Sequence, residues 1–196
     1  MITGAVIIAS VCWAFTLGVE WGNFWAKIVV SVAVVCAYSF FWGRPRLRFT
    51  PSFISAGLAS AAVLYGIFFL GNALAPLFLD GAGSQVTAVY ERFAGTDKVL
   101  VFFLLLFITG PGEEIFWRGF LQEKLMQRFG DVPGFIVSTA VYSGVHIFSM
   151  NFVLVMAALI AGSFWGGLYL WKRDLGPVIV SHSFWSAFIF AVFPIH

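Results

Sequence analysis

The chain has 196 residues, of which 61% are hydrophobic and only 10% charged, with a formal net charge of +2. A water-soluble domain carries close to a quarter charged residues, so this chain has too little polar surface to cover a water-facing fold. Composition therefore excludes a soluble globular domain, and the near-neutral balance without a basic tail offers nothing to nucleic acid; the chain reads as an integral membrane protein.

About 20 apolar residues are needed to cross a bilayer as a helix. The sequence offers about seven such runs, near 2–19, 24–42, 53–78, 98–116, 132–149, 152–171 and 175–194. The expected fold class is all-α, a polytopic bundle of transmembrane helices forming one integrated domain. The first run opens on MITGAVIIAS, lacks a basic flank and reads as a retained span, not a cleaved signal peptide. Cys12 and Cys36 fall inside the first two runs; they read as buried thiols acting as small hydrophobes, or alternatively as neighbours across adjacent helices. Pro51, Pro133 and Pro177 stand near the starts of spans, where a missing N–H costs nothing. The polar stretch Asp80 to Lys98 holds SQVTAVYERF, readable as a short outer-surface helix or as a plain connecting loop. The fourth run carries Pro111 between two glycines, which predicts a kink or local unwinding, and its helix is expected to continue to about Arg128.

Basic residues set an orientation. Arg44, Arg46 and Arg48 follow the second run, Lys124 and Arg128 the fourth, and Lys172 and Arg173 the sixth; the alternate loops hold chiefly Arg92 and Lys98. The positive-inside rule makes the three basic loops cytoplasmic, with the N-terminus inside and His196 outside.

Ionisable residues at membrane depth are costly and face a bundle interior or a watery cavity. They are Glu113, Glu114, Arg118, His146 and His182. Glu20, Asp80, Asp131 and Asp174 sit at span edges, where solvation is cheap. In GPGEEIFWRGF, Glu114 and Arg118 are four apart and share a helix face, which predicts an ion pair; Glu113 points about 100° away and is left free to act as a base. The competing reading, that both acids only mark the end of the span, must place them ~22 Å into it at 1.5 Å per residue. His146 lies beside Ser143 and Gly144, which allow close helix approach, and His182 lies four residues before Ser186 on one face. A glutamate and two histidines from three spans suit water activation: the carboxylate as base, one histidine holding the water, the other with a hydroxyl from Ser186 donating to an oxyanion. Zinc held by two histidines and a carboxylate is a second possibility, but the chain has no HExxH and the metal-free reading needs fewer assumptions.

These residues resemble the CPBP intramembrane proteases, which include the eukaryotic CAAX prenyl endopeptidase of the Rce1 type and the bacterial Abi proteins. The family signature is EExxxR, FxxxH, then HxxxN or HxxxD. The chain has Glu113-Glu114 with Arg118, Tyr142 for phenylalanine before His146, and His182 followed by Ser186 where an amide or acid is usual. The similarity runs over roughly 98–190. It implies a four-helix catalytic core within 98–196, preceded by N-terminal helices and the outer segment in 1–97. It also implies a glutamate-type intramembrane endopeptidase of a family once classed with metalloproteases. By that resemblance Glu113 and His146 activate water, His182 stabilises the oxyanion, Ser186 takes the place of the usual amide donor, and Tyr142 stands behind the site. No cofactor or metal is implied. The implied partner is a membrane protein or peptide substrate, and the setting a multi-pass protein of a bacterial cytoplasmic membrane. Because Ser186 departs from the pattern, a non-catalytic membrane partner, such as a bacteriocin-immunity or scaffold protein of the same fold, is the alternative. A proton-coupled transporter finds no inverted repeat to support it.

Overall fold

The computed structural model describes residues 1–92 and 94–195, so His196 lies outside the described residues. Among them every regular element is a helix. In chain order these are α1 (Ile2–Gly18), α2 (Phe24–Trp42), α3 (Pro51–Leu77), α4 (Ala82–Arg92), α5 (Lys98–Phe129), α6 (Asp131–Ser149), α7 (Phe152–Lys172) and α8 (Leu175–Val192). Six of them, all but α1 and α4, are long and apolar enough to cross a membrane. The chain is an all-α polytopic bundle.

The first helix ends within a residue of its expected run and is apolar but shorter than the six, and cations close its end. Lys27, itself buried, donates to the carbonyl of Val19, and Arg92 donates to that of Leu17. Two cations at a helix C-terminus satisfy orphan carbonyls and oppose the helix dipole. Five other helices open on a side-chain cap: Asn23, Thr50, Asp97, Asn151 and Asp174 each accept from a backbone N–H in the following turn. The polar stretch after α3 is a helix, α4. It is tied to α7 by Asn151 Nδ2 donating to the Gln85 carbonyl (2.8 Å) and by Val153 N–H donating to Gln85 Oε1 (3.2 Å).

The three basic loops meet at one end of the bundle. Arg48 Nε donates to Asp174 Oδ2 at 2.7 Å, Leu175 N–H donates to the Arg46 carbonyl at 3.2 Å, and Arg173 pairs with Asp131. Tyr38 Oη donates to the Met1 carbonyl (2.8 Å), which brings the N-terminus to the same end. The reading of Asp174 as a cheaply solvated edge residue is corrected here: its side chain is 0% exposed. It caps α8 and holds the loop after α2. Burial pushes its carboxyl up, but the Arg48 side chain and the N–H groups of Gly176 and Arg48 outweigh that and hold it below the ordinary 3.8. A depressed folded pKa stabilises the fold above 3.8 and loses that contribution as pH falls through the lower folded value. Asp174→Asn is therefore expected to melt ~2–4 °C below wild type near neutrality, for each ~1 kcal/mol lost. The gap should narrow as pH falls below 3.8, as read by thermal unfolding in detergent across a pH series.

The local unwinding expected at Pro111 takes the form of wider helical turns beside it and not of a break. The helix runs on, with π-helical stretches at Leu105–Thr109 and Trp117–Gln122 on either side of Gly110–Phe116. The wider turn before Pro111 absorbs the missing N–H without breaking the helix. The flanking glycines serve close packing instead. A Cβ on Gly110 would lie 2.5 Å from Ser183 Oγ of α8, and one on Gly112 would lie 2.2 Å from Val32 Cγ1 of α2. Only hydrogen at these two positions lets α5 seat against both neighbours. Cys36 and Cys12 are free thiols, and Cys36 Sγ donates to the Gly112 carbonyl at 3.2 Å.

Candidate active site

The two glutamates take different environments, as their angular separation requires. Arg118 Nη1 donates to Glu114 Oε1 at 2.8 Å, one turn along α5, with side-chain exposures of 2% and 0%. Arg118 also donates to the Gly162 carbonyl (3.2 Å), and its guanidinium lies over the rings of Tyr142 (4.6 Å) and Trp165 (5.6 Å). The pair has a third member that spacing along one helix did not show. His182 Nδ1 sits 2.6 Å from the same Glu114 Oε1, and its ring stacks on Trp165 at 3.7 Å and 14°. Glu114 thus accepts two charge-assisted bonds on one oxygen and anchors α8 to α5. The reading of Glu114 as a partner for Arg118 alone is too narrow.

Glu113 faces a cavity of about 610 Å³ whose wall also includes Tyr142, His146, Trp165, His182 and Ser186. Tyr142 Oη donates to Glu113 Oε2 at 3.5 Å, a long contact. His146 stands in the tight turn Val145–Ser149 that ends α6, with Nδ1 2.8 Å from the Tyr142 carbonyl. A carbonyl only accepts, so Nδ1 carries the proton and Nε2 keeps the lone pair of the neutral ring. Tyr142 and Trp13 hold that ring edge-on, with centroids 5.0 and 6.3 Å away. The residues that the motifs single out are therefore gathered on one cavity, although His182 turns its Nδ1 to Glu114 and not to Glu113.

The glycine that permits close approach here is not Gly144, which has open space around it. It is Gly162 of α7, where a Cβ would meet Tyr142 Cδ1 at 2.8 Å. Three tryptophans, Trp13, Trp117 and Trp165, pack around His146, Tyr142 and His182. Sequence reasoning missed them, since eight tryptophans spread along an apolar chain carry no spacing signal. Among the described residues no group of three or more His, Cys, Asp or Glu side chains is arranged to hold a metal ion.

A bundle of spanning helices with an ionisable cluster buried in it defines a multi-pass membrane protein. Residues 95–188, just under half of the chain, match the family model described as type II CAAX prenyl endopeptidase, Rce1-like. Over that segment the chain resembles the Rce1-like family, at the level of an intramembrane CAAX-type protease. Comparison with curated proteins and with solved structures returned no match.

Proposed function

We propose that the chain is an intramembrane endopeptidase that hydrolyses a peptide bond of a membrane-associated protein or peptide, with Glu113 as the base that activates water. The observation that carries this reading is the convergence of Glu113, His146, His182 and Ser186, from three helices, on one cavity wall. His146 offers the Nε2 lone pair to orient a water, and Glu113 takes the proton as the water oxygen bonds to the scissile carbonyl carbon. The resulting oxyanion accepts from Ser186 Oγ and from His182 Nε2 once that nitrogen carries a proton. Collapse breaks the carbon–nitrogen bond, and the proton held on Glu113 passes to the leaving amine. Tyr142 Oη steadies the Glu113 carboxylate. The positive-inside rule puts the basic end, and with it the N-terminus, in the cytoplasm of a bacterial cell whose cytoplasmic membrane houses the protein.

The test is cleavage of membrane peptides by the purified protein in proteoliposomes, with products identified by mass spectrometry. His146→Ala is expected to slow cleavage ~10²-fold or more, and undiminished cleavage by that variant, once its folding is checked by thermal unfolding, sinks the assignment. The serine at 186, where an amide or acid is the family's habit, favours one second reading, a non-catalytic partner such as an immunity or scaffold protein. Equal rescue of a deletion phenotype by wild type, Glu113→Ala and His146→Ala decides for it.

A further inference from the structure

The cavity lies entirely in the half of the bundle away from the basic loops. It reaches mid-depth at Glu113, Trp165 and His182 and runs from there to the far ends of α3, α7 and α8, under α4. Among the described residues none toward the basic end lines it. Phe116, Trp117, Leu121 and Leu175 are fully buried just beyond the site, and with Arg118 and Gln122 they form a dry layer. In that basic half α3 presses on α8, where a Cβ on Gly57 would lie 2.6 Å from Val180 Cβ.

The opening is lateral. Ile67 on α3, Phe78 just after it, and Phe152, Met156 and Ile160 on α7 line the cavity yet are exposed. They belong to, or directly follow, helices that span the membrane, so what they are exposed to is lipid. Small residues, Gly71 and Ala75 on α3 and Ala157 and Ala161 on α7, stand among the lining residues of these two helices.

We infer that the site takes its substrate sideways from the bilayer, through the slot between α3 and α7 in the half opposite the basic loops, and that this substrate is an apolar membrane-embedded peptide segment. The inference rests on the endopeptidase reading for its cleavage step only. An occupant crossing the slot leaves hydrocarbon for a wall that is mostly apolar, with Asn72 on α3 as a polar exception, before it meets Glu113, His146 and His182. A charged side chain carried through that depth is costly, which selects against a polar tail. A tail presented at the basic face meets the dry layer instead.

The experiment uses Glu113→Gln protein, so that the peptide is not consumed, in vesicles with a tagged probe helix of about 20 Leu and Ala residues. A photoreactive p-benzoylphenylalanine is placed at Met156, on the slot, or at Ile136, exposed on α6 away from the cavity. Labelling of the probe several-fold stronger from Met156 than from Ile136 is expected; equal labelling overturns the slot. For the side of entry, single cysteines Phe78→Cys and Arg128→Cys are made in a Cys12→Ser/Cys36→Ser background. A membrane-impermeant maleimide is expected to label them from opposite sides of the membrane, and labelling of both from one side overturns the assignment. Preferential labelling at Met156 by a probe that active protein and Glu113→Gln protein cleave equally would sink the endopeptidase reading and leave the slot standing. Cleavage that needs Glu113, without preference for Met156, would sink the slot alone.

Discussion

Glu113→Gln is expected to lose peptide-bond cleavage by ~10²–10⁴-fold while its stability changes by no more than about 0.5 kcal/mol. The side chain is half-buried on the wall of the cavity, and among the described residues its one hydrogen bond is the 3.5 Å contact from Tyr142 Oη. An amide oxygen accepts that contact as well as a carboxylate does, so the fold has nothing to lose. The chemistry loses its only acceptor for a proton from water at that atom. Parallel measurement of cleavage in proteoliposomes and thermal unfolding in detergent checks both halves. A melting temperature that drops with activity would mean that Glu113 holds the bundle together and is no base.

The neighbouring residue should behave in the opposite way. Glu114→Ala removes the shared acceptor of Arg118 and His182 and leaves a guanidinium unpaired at 2% exposure. Breaking a buried pair by deleting one partner typically costs ~3–5 kcal/mol, so the variant is expected to unfold far below wild type or to fail to accumulate. Adding Arg118→Met should recover part of that loss, because the uncompensated charge leaves with it. The recovery is read as the difference in unfolding midpoint between the single and double variants. No recovery would mean that the loss comes from His182, which also bonds Glu114 Oε1 at 2.6 Å, and not from Arg118. Two adjacent carboxylates thus separate function from fold: one variant folds and does not cut, the other does not fold.

Much of this was legible along the chain because it depends on local period and on cost. Hydrocarbon compatibility sets the spans, and 3.6 residues per turn splits Glu113 from Glu114 and joins Glu114 to Arg118. The expense of charge at depth singles out His146 and His182. The spacing of EExxxR and the two histidines carries the family. Where the reading went wrong, distant contacts decided. Asp174 looked solvated, but the loop carrying Arg48 folds over it.

By itself, then, the sequence determined a bundle of membrane helices, its three basic loops, and the few ionisable residues placed at membrane depth, since each follows from burial cost and helical period within a short window. Only the tertiary structure decided that His182 turns Nδ1 to Glu114, that Trp165 backs it, and that the cavity is closed toward the basic loops and open between α3 and α7. Those facts join residues tens of positions apart, and which helix faces meet is set by the summed packing of all of them at once, not by any one segment's pattern.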